Sequence, residues 1–287
     1  MNLVIQNKYC KATFETKGAE LVSWQYQNHE LIWNANEPWK RHAPILFPIV
    51  GKLLNDTYIY KNNTYHLTQH GFARDVQWLC TLHTNDTIEF ELTDNDYTLQ
   101  HYPFHFSLII LYKLIDTSLH LTFKVFNPSH KNLPFSIGYH PAFHLPHPIQ
   151  HYFLKFYPPQ KQIVSTLLHN GLITQQKNTI PLHNSALPLH TQLFDNDAIV
   201  LENTNISKIE LYTPNENFSI CIQSDKIKNW GIWTKPRCQQ FICIEPWIGI
   251  ADSKNHNQQL EQKKDIVLLP PYQSFEWKII IEIKNKL

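Results

Sequence analysis

Three short segments concentrate polar side chains among aromatics and prolines. They are LTQHGFARDVQW (67–78), with His70, Arg74 and Asp75; FSIGYHPAFHLP (135–146), with His140 and His144; and FICIEPWIGIAD (241–252), with Glu245 and Trp247. In the third, Phe241, Cys243, Glu245 and Trp247 fall on one side of an alternating run, with Ile242 and Ile244 on the other. Burying a carboxylate in such surroundings is costly, so its pKa rises from about 4.3 toward the range of a base useful at neutral pH. Pro246 is expected to end the strand ladder there and turn Glu245 toward a pocket. The competing reading is a strand-end carboxylate in water. His70 precedes Gly71, which suggests a tight turn that presents the ring. His140 ends a strand-like run and is pinned by Pro141. With 17 histidines in the chain, either ring can equally be a hydrogen-bonded structural residue.

Other chemistries find no support. His140 and His144 are four apart, but Pro141 and Pro146 bracket them, so they do not share a helix face as a zinc pair would. No serine or cysteine sits in a nucleophile elbow, and the 7 glycines form no phosphate-binding loop. Cys10, Cys80, Cys221, Cys238 and Cys243 are odd in number and irregularly spaced, which reads as free thiols in a reducing compartment.

The elements that must position these residues read as strands. TIEFELT (87–93), SLHLTFKVFN (118–127), FSICIQS (218–224) and SFEWKIIIEIK (274–284) alternate apolar and polar residues. Period two marks half-buried antiparallel strands. Turn signals separate them at 84–87, 115–118, 127–132 and 213–217, and the turn before Ser118 predicts a hairpin. No long amphipathic helix is evident; 252–263 offers at most a short one. Many strands without intervening helices predict an all-β fold, a large antiparallel β-sandwich. No Gly/Ser-rich linker divides the chain, so 1–287 is expected to be one domain.

A net charge of +1 argues against a nucleic-acid surface. No apolar stretch approaches the length of a membrane span and the first residues carry no secretory pattern, so a cytoplasmic protein without membrane partners is expected.

The three segments, in order, resemble the aldose 1-epimerase (galactose mutarotase-like) family, most closely its LacX-like branch. The resemblance extends over most of the chain, through GAELVSWQYQNHELIW (18–33), RHAPILFPIVGKL (41–53), HGFARD (70–75), FSIGYHPAFHLP (135–146), LFDNDAIVLEN (193–203) and IEPWIGIAD (244–252). It implies an antiparallel β-sandwich with a sugar site on a concave face and no cofactor. It implies Glu245 as the base at the C1 hydroxyl, His140 as the acid at the ring oxygen, His70 as a further sugar-binding histidine, and Asp197 as the acceptor of sugar hydroxyls. Trp247 and Phe143 are candidate platforms for a sugar face. Lys52 stands where better-known galactose mutarotases commonly carry an arginine, and a lysine cannot make the planar fork that arginine makes. Arg41 and Arg74 add positive charge near the expected site, which leaves two substrates open, a free hexose and a hexose 6-phosphate. A non-catalytic sugar-binding protein on the same fold is a third reading. The expected partner is a small-molecule sugar, and the expected assembly a monomer or homodimer.

Overall fold

The computed structural model describes residues 2–286, and the predicted alternation is realised as two large antiparallel sheets. The first has nine strands, in the spatial order Ala186–Pro188, Phe153–Tyr157, Lys208–Tyr212, Phe218–Ser224, Ser274–Asn285, Ser118–Phe126, Ser107–Ile115, Thr87–Thr93 and Leu79–His83. The hairpin expected before Ser118 is present, with Ser107–Ile115 and Ser118–Phe126 paired in unbroken register. Its neighbour Ser274–Asn285 buries Trp277, Ile279, Ile281 and Ile283, as the period-two pattern predicts.

The second sheet has eight strands. Phe241–Ile248 lies inside it, paired on one side with Asn229–Trp233 and on the other with both Ile137–Tyr139 and Ala142–His144. One continuous core joins the two sheets, containing Phe123, Trp277 and Ile279 of the first and Tyr139, Trp230, Ile232, Ile242 and Ile244 of the second. The rings of Phe123 and Tyr139 meet across it at 6.2 Å. Because Ile242 and Ile244 face this core, Cys243, Glu245 and Trp247 must face the opposite side of the sheet. That outer side is itself covered, so every residue of Phe241–Ile248 is buried.

Two expectations require correction. Pro246 does not end the ladder, because it pairs in register with Trp230 and the strand continues to Ile248. The interruption lies in the neighbour. His140 and Pro141 separate Ile137–Tyr139 from Ala142–His144, and this gap opens beside Glu245. Of the short helix considered over 252–263, only the 3-10 turn Leu260–Gln262 forms. The α-helix Asp96–His101 had no period long enough to detect; it is fixed locally by an Asn95/Thr98 capping box.

The IGIAD segment is anchored by a buried ion pair. Lys263 Nζ lies 2.8 Å from Asp252 Oδ1, and both side chains are 1% exposed. Asp252 also accepts a hydrogen bond from Leu54 N at 3.0 Å, and its own N–H donates to Lys52 O at 2.8 Å. The pair therefore ties residues 249–252 to the 51–54 loop. Removing one partner strands a buried charge, so Lys263→Met is expected to lower stability by about 3–5 kcal/mol, whereas the double variant Asp252→Leu/Lys263→Met loses less. Urea denaturation checks this; a single variant as stable as wild type would contradict it.

Candidate active site

The outer face of the eight-stranded sheet carries a cleft of about 300 Å³, a size suited to a small ligand. His70, Arg74, His140, Asp197, Glu245 and Trp247 line it, although they lie far apart in the chain.

At its floor, Glu245 and His140 meet directly, with Nε2 to Oε2 at 3.2 Å. Glu245 is 1% exposed and His140 is 7% exposed. Burial pushes the Glu245 carboxyl well above the usual carboxylate range; an opposing hydrogen bond from Trp247 and repulsion from Asp197 are smaller influences. Burial pulls the His140 imidazole down to about 3, with the nearby Arg74 charge acting in the same direction. Both shifts oppose charge separation, so when the pair holds one proton the arrangement with both groups neutral is favoured.

Each group is held on several sides. Trp247 Nε1–H donates to Glu245 Oε2 at 3.2 Å. The Trp247 indole reaches this position by lying against two backbones without side chains. A Cβ on Gly231 would stand 2.2 Å from the indole, and one on Gly138 would stand 2.9 Å from it. The His140 ring stacks on Trp39, with centroids 5.0 Å apart and planes 24° apart, and meets Trp233 edge-on at 6.0 Å. Trp39 is held by its carbonyl, which accepts from Trp33 Nε1 at 2.8 Å, and by stacking on Phe241.

His70 sits at a left-handed turn, φ +71°, followed by Gly71 at φ +70°. A Cβ on Gly71 would lie 2.3 Å from Phe47 O, so the glycine is required for this approach. His70 N–H donates to Gly51 O at 2.9 Å, and Gly51 N–H donates to His70 Nδ1 at 3.2 Å. An amide N–H can only donate, so Nδ1 is the acceptor and the neutral ring carries its hydrogen on Nε2. Burial, reinforced by the charge of Arg74, holds His70 neutral well below the ordinary histidine range. The side-chain amide of Gln69 lies 3.3 Å from Nε2.

Arg74 Nη2 donates to Gln69 O at 2.5 Å, while its Nε is buried without a hydrogen-bond partner. Burial lowers the guanidinium to about 10. Asp197 lies on the cleft rim at φ +81°, and Ala198 N–H donates to its Oδ1 at 2.8 Å. Partial desolvation there raises its carboxyl above the usual value.

Three expected residues are placed elsewhere. Phe143 is fully buried in the main core and does not line the cleft, because its register partner is Ile242 rather than an outward-facing residue. Arg41 is drawn onto Asp75 at 3.0 Å, and Lys52 packs beside Gly171; neither lines the cleft. Conversely, Trp39, Gln69, Trp233 and Lys235 line it without having been singled out from the sequence. Nothing local marks Trp39 among 8 tryptophans, and only the fold brings it to His140.

Comparison with known proteins agrees with this architecture. A family model described as aldose 1-epimerase matches residues 1–264. The protein LacX of Lactococcus lactis subsp. lactis is 29% identical over 299 residues, covering 99% of this chain and 100% of LacX. A Salmonella typhimurium protein provisionally described as a glucose-6-phosphate 1-epimerase is 28% identical over 124 residues, 39% of each chain. Among solved structures, a galactose mutarotase related enzyme from Lactobacillus acidophilus superposes with a TM-score of 0.94 at 34% identity over 100% of both chains. A galactose mutarotase-like protein from Lactobacillus casei superposes at 0.91 with 28% identity, covering 99% of this chain and 100% of that one.

The packing of Trp247 generates a test. Gly231→Ala is expected to displace the indole, remove its hydrogen bond to Glu245 and lower tryptophan-to-cleft order. A crystal structure of the variant with Trp247 unmoved would contradict the role assigned to the glycine.

Proposed function

The chain belongs to the aldose 1-epimerase family, and we propose that it is a mutarotase, interconverting the α and β anomers of a hexose through acid/base ring opening and reclosure. The observation that carries this reading is the 3.2 Å contact between His140 Nε2 and Glu245 Oε2. In a cyclic sugar the hydroxyl that must lose a proton and the ring oxygen that must gain one are bonded to the same carbon. An acid and a base serving both must each reach one of two neighbouring oxygens, and two side chains in contact at one cleft floor can do so.

With the shared proton on His140, Glu245 accepts the C1 hydroxyl proton while His140 delivers its own to the ring oxygen. The C1–O5 bond breaks and an aldehyde forms at C1. Rotation about C1–C2 presents the other carbonyl face. Closure runs the same transfers backward and returns the proton to His140, so the pair carries one proton throughout. The ionic arrangement is supported by the Trp247 N–H on Glu245 and by the Trp39 ring face on His140, which favours an imidazolium. His70, with its hydrogen on Nε2, donates to the ring oxygen or a neighbouring hydroxyl, and Asp197 accepts from hydroxyls at the rim. The indoles of Trp247, Trp39 and Trp233 offer apolar surface to the sugar's C–H groups.

A second reading, a hexose 6-phosphate as substrate, is favoured by two cations on the cleft wall. Arg74 has a buried Nε that makes no hydrogen bond and only a long 3.7 Å ion pair to Asp75, and Lys235 also lines the cleft. The provisionally described glucose-6-phosphate 1-epimerase relative points the same way.

Polarimetry on freshly dissolved α-D-glucose and α-D-galactose, against buffer alone, tests the first reading. Glu245→Gln is expected to lower the catalysed rate by about 10²–10⁴-fold with the fold retained; a fully active variant would remove Glu245 from the role of base. Competition by glucose 6-phosphate, lost in Arg74→Gln, would support the phosphorylated substrate, and indifference to it would exclude that reading. Saturable sugar binding with no acceleration of anomer exchange would make the protein a binder.

The pH dependence follows from the same pair. His140 is lowered, so a second proton joins the pair only well below the ordinary histidine range. Glu245 is raised, so the last proton leaves only above the ordinary carboxylate range. The catalysed rate is therefore expected not to fall as the pH drops through the ordinary histidine value near 6.5, because His140 does not take up its second proton there. A rate that halves on acidification through that pH would contradict the assignment.

A further inference from the structure

Behind the acid/base pair lies a thiol that the reaction does not use. Cys243 stands two residues before Glu245 on the same side of the strand Phe241–Ile248 and is fully buried. One ligand atom each from His140, Cys243 and Glu245 falls within 4.8 Å of the other two. We propose that this trio is a binding site for a thiophilic divalent cation of the Zn²⁺ type, and that its occupancy shuts the cleft to sugar.

The donor set defines the ion. An imidazole, a thiolate and one carboxylate match a three-ligand zinc site with its fourth position open. A soft sulfur and a single carboxylate do not suit Mg²⁺ or Ca²⁺, which require several oxygens. Metal–ligand bonds of about 2.0–2.3 Å put atoms of one tetrahedron roughly 3.3–3.7 Å apart, so the trio needs to close by about 1 Å, within the reach of side-chain rotation. His140 also has a ring nitrogen to spare, since its Nδ1 is buried without a hydrogen-bond partner. The fourth position would face the cleft and take a water.

Charge balance favours the complex despite burial. Binding displaces two protons, one from the Cys243 thiol and the one held by the His140–Glu245 pair. The dication then meets one thiolate and one carboxylate, and the buried assembly is neutral, which limits its desolvation penalty. The metal engages the same two side chains that would serve the sugar, so metal and sugar exclude each other. That competition rests on the mutarotase reading; the site itself does not.

The test titrates ZnCl₂ by calorimetry into wild type, Cys243→Ser and Cys243→Ala, with Co²⁺ as a spectroscopic probe of thiolate ligation. Wild type is expected to bind one Zn²⁺ per chain and to show a thiolate-to-Co²⁺ charge-transfer band, and both variants are expected to bind about 100-fold more weakly and lack the band. In polarimetry, Zn²⁺ is expected to slow wild type, with reversal by EDTA and relief by excess sugar, while both variants keep their metal-free rate and resist Zn²⁺. Absence of stoichiometric binding to wild type would overturn the proposal. So would variants that bind or are inhibited like wild type, which would place the metal on other histidines. If no sample accelerates mutarotation, the calorimetric and Co²⁺ results still decide the site.

Discussion

A carboxylic acid and an imidazole, 3.2 Å apart at the floor of a buried cleft, set the terms for the surrounding structure. Either group charged alone in that position would be strongly destabilising. With one proton between them, moving it separates or cancels charge without changing the total. A pair of this kind offers one donor and one acceptor at all times. It works only if its environment leaves the two placements of the proton close in energy, and the surroundings act on that balance from both directions. Burial and the Arg74 charge favour the neutral form. The Trp247 N–H and the Trp39 ring face favour the ionic form.

Much of the fold serves to keep that pair in place. Glu245 is on an internal strand whose other face is locked into the core by Ile242 and Ile244. His140 occupies the gap between two short strands that both pair with the same neighbour, so its backbone is fixed on either side while its ring remains free to face the cleft. Trp247 is admitted by the bare backbones of Gly138 and Gly231. His70 is held through Gly51, and Gly51 in turn packs against Ala251, in the segment anchored by the buried Asp252–Lys263 pair. Preorganisation is thus carried by the backbone and its second layer of contacts more than by the cleft residues themselves.

The β-sandwich was readable because its strands are long and alternate cleanly, as in Thr87–Thr93 and Ser274–Asn285. The candidate chemistry was partly readable: a glutamate in an apolar run and a histidine pinned by Pro141 are locally unusual, and the family resemblance extended this to Asp197. What escaped depends on long-range placement. Phe143 and Trp39 are both aromatics near proline, yet register sends Phe143 into the core, and a loop lays Trp39 on His140. Arg41 and Arg74 look equivalent in sequence and both reach Asp75, Arg41 at 3.0 Å and Arg74 at 3.7 Å, yet only Arg74 lines the cleft wall. Pro246 suggested a strand end; the interruption instead falls in the adjacent strand, which local sequence could not reveal.

The shared proton can be observed without any substrate. Nuclear magnetic resonance of ¹⁵N-labelled histidine, with the His140 signals assigned by comparison with His140→Gln, reports the ring's protonation as pH is varied between about 5 and 8. The expected result is that the His140 ring stays neutral as the pH falls from about 8 to about 5, because burial and the Arg74 charge hold the imidazole down to about 3. Conversion of the ring to imidazolium with a midpoint near 6.5, the value of an unperturbed histidine, would show that His140 titrates independently of its surroundings and would be the contradictory result.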